Sequence, residues 1–302
     1  MIRTFVKGLA MGAADIVPGV SGGTVALVTG IYERLIKAIK SIGIDTVRIL
    51  FQDGIKAAFK QIDGAFLVTL FTGILTSIVI FSRILHFVIE HYPMVIWPIF
   101  FGLVLASSIY VGREVKHWNV PRLGLLLIGV IIAATISLSS ATQVEVTPLS
   151  LFLAGALAIC AMILPGISGS FILLLLGMYG AVITAVKTFD MASLAVFALG
   201  CIVGLMLFSR FLVWLLARFH QGTMALLTGF MLGALLKLWP WKEVLSYRIN
   251  SKGISVPFIE TPIAPWQHAE PQLLTVFVAA LCGFIVVFAL EYLFNNTRIK
   301  SE

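Results

Sequence analysis

The chain has 302 residues, 60% of them hydrophobic and 12% charged, with a mean hydropathy of +1.05. A soluble domain carries roughly 25% charged residues, so this composition excludes a soluble globular protein and indicates a polytopic membrane protein. The net charge of +7 reflects the excess of lysine and arginine on cytoplasmic loops and not a nucleic-acid surface, so no nucleic-acid partner is expected.

Arg3 and Lys7 precede an apolar stretch and superficially resemble a signal peptide. The sequence that cleavage would remove recurs internally, so cleavage is not expected. Residues 5–32 contain Pro18-Gly19-Val20-Ser21-Gly22-Gly23-Thr24 and end in Gly30-Ile31-Tyr32. Proline removes a backbone donor and glycine costs chain entropy, so Pro18 and Gly19 break any helix through this apolar run. The segment is too short for two full crossings and reads as a hairpin that enters the membrane and returns. Residues 33–63 carry six lysines and arginines with apolar residues at helical spacing, the pattern of a basic helix lying in the membrane interface or, equally, of a basic cytoplasmic connector.

Three spans follow at 64–90, 93–112 and 122–140. A second broken stretch occupies 149–186, where Pro165-Gly166-Ile167-Ser168-Gly169-Ser170 leads to Gly177-Met178-Tyr179, 147 residues after the first copy. Spans at 191–217, 223–240 and 272–294 complete the chain. Between the last two, four prolines and two flanking tryptophans indicate an extended extramembrane loop. Phe81-Ser82-Arg83 recurs as Phe208-Ser209-Arg210 at an offset of 127. The two offsets differ by 20 residues, which the basic stretch of the first half supplies, so residues 1–141 and 142–302 form two repeats.

Each repeat is thus one broken hairpin and three spans. With both hairpins re-entrant and both termini cytoplasmic, 14 lysines and arginines fall inside and five outside. Letting both broken segments cross reverses that ratio, and letting only the first cross gives 12 against seven, so the hairpins are favoured. Three spans per half invert the second half relative to the first. The expected fold is therefore an all-α polytopic membrane protein built as an inverted repeat, the plan of many secondary transporters.

Arg83 and Arg210 lie within spans at matched positions. An intramembrane arginine costs about 2.5–3.5 kcal/mol on insertion scales, and snorkelling explains neither the shared Phe-Ser before them nor the match. A guanidinium suits phosphate because its planar fork donates two parallel hydrogen bonds. After each break, Ser21 or Ser168 can cap a new half-helix. Its N–H groups, with Gly22, Gly23 and Thr24 or Gly169 and Ser170, would then face an anion at membrane depth. Tight helix packing through small residues is the plainer use of these glycines. Asp15 and Glu33 bracket the first motif and are candidates for proton coupling, with pairing to an arginine or a solvent-facing helix end as the other roles open to Asp15. The histidines form no metal-binding spacing, and no Walker loop, dinucleotide fingerprint or nucleophile elbow occurs, so no metal, no cofactor and no enzymatic activity are expected.

The run Ala14-Asp15-Ile16-Val17-Pro18-Gly19-Val20-Ser21-Gly22-Gly23-Thr24, with the second Pro-Gly-Ile-Ser-Gly-Ser copy and both Phe-Ser-Arg blocks, resembles the bacterial polyprenyl-phosphate transporter family (PopT). The resemblance implies return of undecaprenyl phosphate, a lipid carrier, from the outer to the cytoplasmic leaflet of the bacterial plasma (inner) membrane. It would also place Arg83, Arg210, Ser21 and Ser168 around the headgroup. The expected partners are polyprenyl phosphate and membrane lipids, and a homo-oligomer is left open. The residues alone reach only an anion site, which leaves a transporter or channel for a small soluble anion such as phosphate as the alternative. The driving force, the lipid chain length and the role of Asp15 are not legible.

Overall fold

The computed structural model describes residues 1–17, 20–139, 144–249 and 255–295. The described side chains exclude Ile44, Ser82, Arg83, His86, Glu90, and those of 246–249, 255–259 and 290–295. Pro18 and Gly19 lie outside the described residues, as does the Arg83 side chain.

The chain begins with α1 (Ile2–Asp15) and α2 (Gly22–Val28), separated by the first break. Helix α2 ends in a left-handed glycine. Gly30 has φ 70°, its N–H reaches the Leu27 carbonyl, and the Ile31 N–H reaches the Ala26 carbonyl. These two bonds make a Schellman motif, which favours glycine because an L side chain costs about 1–2 kcal/mol there. The second break repeats the arrangement between α9 (Pro148–Ile163) and α10 (Gly169–Leu175). Gly177 also has φ 70°, with Gly177 N–H on Leu174 and Met178 N–H on Leu173. Gly30→Ala and Gly177→Ala should therefore each destabilise the protein by about 1–2 kcal/mol, measured as a lowered Tm in detergent.

Each break folds the chain back. Lys7 Nζ donates to the Thr29 carbonyl, so the end of α2 lies beside the start of α1. In the second copy Met178 packs with Leu151 and Ala154 of α9 in one buried cluster. At Pro165-Gly166 the Ile167 N–H bonds the Leu164 carbonyl at 3.4 Å and Gly166 has φ 84°, a Pro-Gly turn. The equivalent bond, Val20 N–H to Val17 carbonyl at 3.2 Å, closes the first break.

The expected single interfacial helix over 33–63 is instead three short helices, α3 (Tyr32–Ser41), α4 (Ile44–Gln52) and α5 (Ile55–Gln61). Gly43 and Gly54 precede the second and third, and Gly54 has φ 85°. Helices α6 (Gly64–His91), α7 (Pro93–Arg113) and α8 (Val120–Leu138) follow. After α10, α11 (Tyr179–Thr188) turns away at 106°. The predicted spans 191–217 and 223–240 are the two arms of α12 (Met191–Leu238), two helices that meet at a kink at Phe219, where φ is −133° and ψ is 43°. Together their 48 residues make about 72 Å of helix, enough for two crossings of a hydrocarbon core. Helix α13 (Leu273–Asn295) ends the described chain. Among the described residues, the four elements α6, α7, α8 and α12 are long and apolar enough to cross a membrane, or five with the bent pair α10–α11.

The expectation of an all-α fold is corrected between α12 and α13. Strands β1 (Lys242–Ile249) and β2 (Ser255–Pro262) pair antiparallel, with Lys242 opposite Pro262. Both strands are edges, which is where a sheet tolerates proline.

Glycines set the closest helix approaches. A Cβ on Gly8 or Gly73 would fall under 3.0 Å from the carbonyl oxygens of Leu70 and Phe5 respectively, locking α1 against α6. Gly155 and Gly200 meet the Phe197 and Phe152 carbonyls in the same way, locking α9 against α12. These partners sit at the offsets of 147 and 127 residues found in the sequence. Gly102 of α7 meets Ala280 of α13, and Gly229 of α12 meets Leu126 of α8. The third helix of each half thus packs on the second helix of the other.

Candidate functional site

The two breaks meet in the main core. Ser21 is extended (φ −126°, ψ 139°) and buried, and its Oγ accepts the Gly23 N–H at 3.1 Å, the N-cap expected of it. The same Oγ donates to the Met162 carbonyl at 3.1 Å, and Tyr32 Oη donates to the Ile163 carbonyl at 3.3 Å. The first break thereby caps carbonyls at the end of α9, groups that an apolar surrounding would leave unsatisfied. Gly23 is required there, because a Cβ would stand 2.7 Å from the Ile163 oxygen.

The N–H groups of α2 are already used. Asp15 Oδ1 accepts the Gly22 N–H at 2.7 Å, and a Cβ on Gly22 would strike its carboxylate at 2.6 Å. The Thr24 N–H bonds the Ser21 carbonyl. The expectation of free donors at this helix end is thus corrected, because the protein's own carboxylate takes the place foreseen for an anion. Thr24 Oγ1 and, beside Gly12, Ser77 Oγ are fully buried with no partner among the described residues.

The second copy differs. Met162 stands where the first has Asp15, and Ser168 makes no cap, its Oγ bonding Ser170 Oγ at 2.9 Å. The N–H groups of Gly169 and Ser170 have no partner among the described residues. A Cβ on Gly169 would lie 2.5 Å from the Ala158 carbonyl, so α10 returns tightly along α9.

Arg210 is partly buried and works elsewhere. Its guanidinium donates to the Met206 carbonyl at 2.7 Å and to the Ile42 carbonyl at 3.5 Å, against the α3–α4 link. Glu33 is exposed at the start of α3, 2.9 Å from Lys37 Nζ and 3.3 Å from His220 Nε2. The hydrogen bond from Lys37 holds its carboxyl below the ordinary range, so it stays ionised at neutral pH.

Two cavities flank these groups. One of about 610 Å³ has a mixed lining, with Glu33, Arg34, Lys37 and Asp63 beside Tyr32, Leu216 and Met224. The other, of about 400 Å³, is almost wholly apolar. It runs from Val20 and Val25 at the first break to Phe81 and Leu85 of α6 and Val287 of α13.

Sequence reasoning missed Tyr32 and the Met162–Ile163 carbonyls. The repeated Gly-x-Tyr marked the first, but only the folded chain brings α9 to it. Among the described residues no group of three or more His, Cys, Asp and Glu side chains could hold a metal.

A family described as undecaprenyl phosphate translocase-like matches residues 11–256. A polyprenyl-phosphate transporter of Vibrio cholerae is 45% identical over 295 residues, covering 96% of each chain. One of Staphylococcus aureus is 30% identical over 258 residues, covering 78% of this chain and 85% of its own. No solved structure matches the chain.

Proposed function

Because the chain belongs to the undecaprenyl phosphate translocase-like family, we propose that it returns undecaprenyl phosphate from the outer to the cytoplasmic leaflet of the bacterial plasma membrane. The family is one of transporters, and the protein is not an enzyme. Its relatives are named for polyprenyl phosphate, so a polyprenyl-phosphate transport role is the secure part. Direction, the undecaprenyl chain and the residues that hold the headgroup are the proposal.

One observation carries the site: the two broken hairpins touch through Ser21 and Met162 in the main core, where an uninterrupted helix would present only side chains. The matched Schellman turns and matched glycine contacts support an inverted repeat split near residue 141, with the hairpins entering from opposite faces and both termini cytoplasmic. The headgroup rests at the second break, on Ser168, Gly169 and Ser170, whose N–H groups lack the competing carboxylate of the first. On that topology Arg83 and Arg210 sit on helices of opposite sense, eight residues before His91 and Arg218. Each arginine therefore serves the headgroup at one stage of the crossing. The apolar cavity between α6 and α13 takes the first part of the polyprenyl tail, and the remainder stays in lipid. Relative movement of the two halves exposes the headgroup to either leaflet.

Asp15, capping the Gly22 N–H, is the group we assign to proton coupling, in preference to the solvent-facing Glu33. Protonation would free a donor that a phosphate oxygen can use. Asp15→Asn keeps an acceptor for Gly22 but removes the titration, so transport should lose its dependence on a proton gradient. Unchanged dependence would move the coupling elsewhere.

The test is transfer of labelled undecaprenyl phosphate between leaflets of reconstituted vesicles, expected to be faster with the protein than without it. The cavity beside α3, with its charged residues, favours one other reading, a pathway for a soluble anion. Phosphate uptake into liposomes lacking polyprenyl lipid would favour that reading, and no uptake is expected.

A further inference from the structure

Two lysines at the ribbon end of α12 take no part in the reading above. Lys237 is in the last turn of α12, with Nζ 4.8 Å from the centre of the Phe171 ring on α10. Lys242 opens β1, and its side chain is only 9% exposed. Its Nζ lies 3.4 Å from Glu260 Oε2 and 3.9 Å from the centre of the Trp97 ring. The Glu260 carboxylate acts on both ammonium groups, and the two lysines act on each other. Two positive charges therefore share one negative charge in a mostly buried place.

The surroundings are built and not incidental. Trp239 and Trp241 stack edge to face with ring centres 5.3 Å apart. Their indole N–H groups donate to the Ile263 and Pro271 carbonyls at 2.9 and 2.8 Å, which ties the ribbon to the helix end. A lysine normally extends its stem toward water, whereas the Lys242 side chain is buried against Glu260 and the Trp97 ring. Pinning the ribbon by one ion pair accounts for Lys242 and Glu260. It leaves the second cation, and its contact with the helix after the second break, unexplained.

We propose that Lys237 and Lys242, with Glu260 orienting them, form a binding site for a phosphate or phosphate-monoester dianion, separate from the breaks. A phosphate monoester carries about −1.5 to −2 charges near neutral pH, more than enough to neutralise the one surplus positive charge, and ammonium groups bind it as point charges. Trp97 and Phe171 wall the site with ring faces that tolerate cations and keep water away. The inference rests on the proposed function for its ligand, and on that topology it holds the headgroup at the outer leaflet before the second break receives it.

Burial pushes Lys242 down to about 8, with Glu260 resisting the shift and Lys237 adding to it. Phosphate affinity should therefore fall as pH rises through about 8. Between about 8 and the ordinary lysine value of 10.5 the folded protein holds fewer protons than the unfolded chain. Stability without ligand should rise with pH across that same window, opposite to the affinity.

The experiment measures binding of undecaprenyl phosphate, undecaprenol and inorganic phosphate to the full-length protein in nanodiscs. Lys237→Gln and Lys242→Gln should each weaken phosphate-ligand binding about tenfold or more, whereas Glu260→Gln should tighten it. Equal loss in Lys242→Gln and Glu260→Gln, with Lys237→Gln unchanged, would overturn the site in favour of a structural pin. Lys237 is less buried, so its variant keeps the question answerable if Lys242→Gln misfolds. Binding of undecaprenyl phosphate but not undecaprenol assigns the site to the lipid headgroup, and lysine-dependent binding of inorganic phosphate alone assigns it to the free anion. Wild-type affinity in both lysine variants, with binding or transport lost in Arg210→Ala, overturns this site and leaves the proposed function standing. Failure of the wild-type protein to bind any phosphate ligand overturns both.

Discussion

Arg210→Ala is expected to slow headgroup transfer strongly while the protein still inserts and folds. The guanidinium now donates to two backbone carbonyls, Met206 and Ile42, at 2.7 and 3.5 Å. Neither neutralises it, and a charge held within an apolar helix needs a partner to justify its cost. A hydrogen bond to a charged group contributes about 1.5–3 kcal/mol, so loss of a phosphate contact should slow transfer roughly 10- to 150-fold. Arg210→Lys should recover only part of the rate, because an ammonium cannot reproduce the planar fork. If Arg210 merely fastens the α3–α4 link to α12, the alanine variant will instead lower Tm and transfer at the wild-type rate once folded. Arg83→Ala carries the same expectation by its matched position. Full transfer by both variants would remove the arginines from the mechanism.

The second large effect is on assembly. Gly102→Val should prevent accumulation of folded protein, because even a Cβ at this position would overlap the Ala280 carbonyl oxygen. Helices α7 and α13 would have to separate. The cost should exceed the 1–3 kcal/mol usual for overpacking, since the obstacle is backbone and cannot change rotamer. Gly229→Val should behave alike through Leu126 of α8. Gly124→Ala and Gly180→Ala are the controls, because nothing lies within 4 Å of a Cβ at either place. Yields and melting in detergent after matched expression would separate the two pairs. Equal tolerance at all four positions would mean the crossings are looser than described.

The breaks were legible because proline and glycine act locally. Ile163 and Gly169 bound the second break as foreseen, and Gly30 and Gly177 end their helices in the same turn. The spans were legible from hydropathy, and the boundary foreseen between 191–217 and 223–240 falls at the Phe219 kink. Residues 242–262 read as loop because prolines outweighed the β-branched residues, yet a two-stranded ribbon has only edges and accommodates them. The division of 33–63 was missed because amphipathic spacing continues through Gly43 and Gly54. Asp15 on Gly22 and Lys242 against Glu260 depend on chain segments folding back, and no local pattern announces that. Candidate residues were therefore easier to find than the partners they meet.

The central claim is that a phosphate headgroup is held at an interrupted helix deep in the membrane. It is tested most directly by Ser170→Cys in a protein whose Cys160, Cys201 and Cys282 have been replaced. Ser170 is exposed and adjoins Ser168 at the second break. A charged, membrane-impermeant thiol reagent should label the introduced thiol in reconstituted vesicles. Undecaprenyl phosphate should protect it, and the uncharged undecaprenol should not. Labelling that is unaffected by the phosphate lipid, or slowed equally by both lipids, would contradict the site.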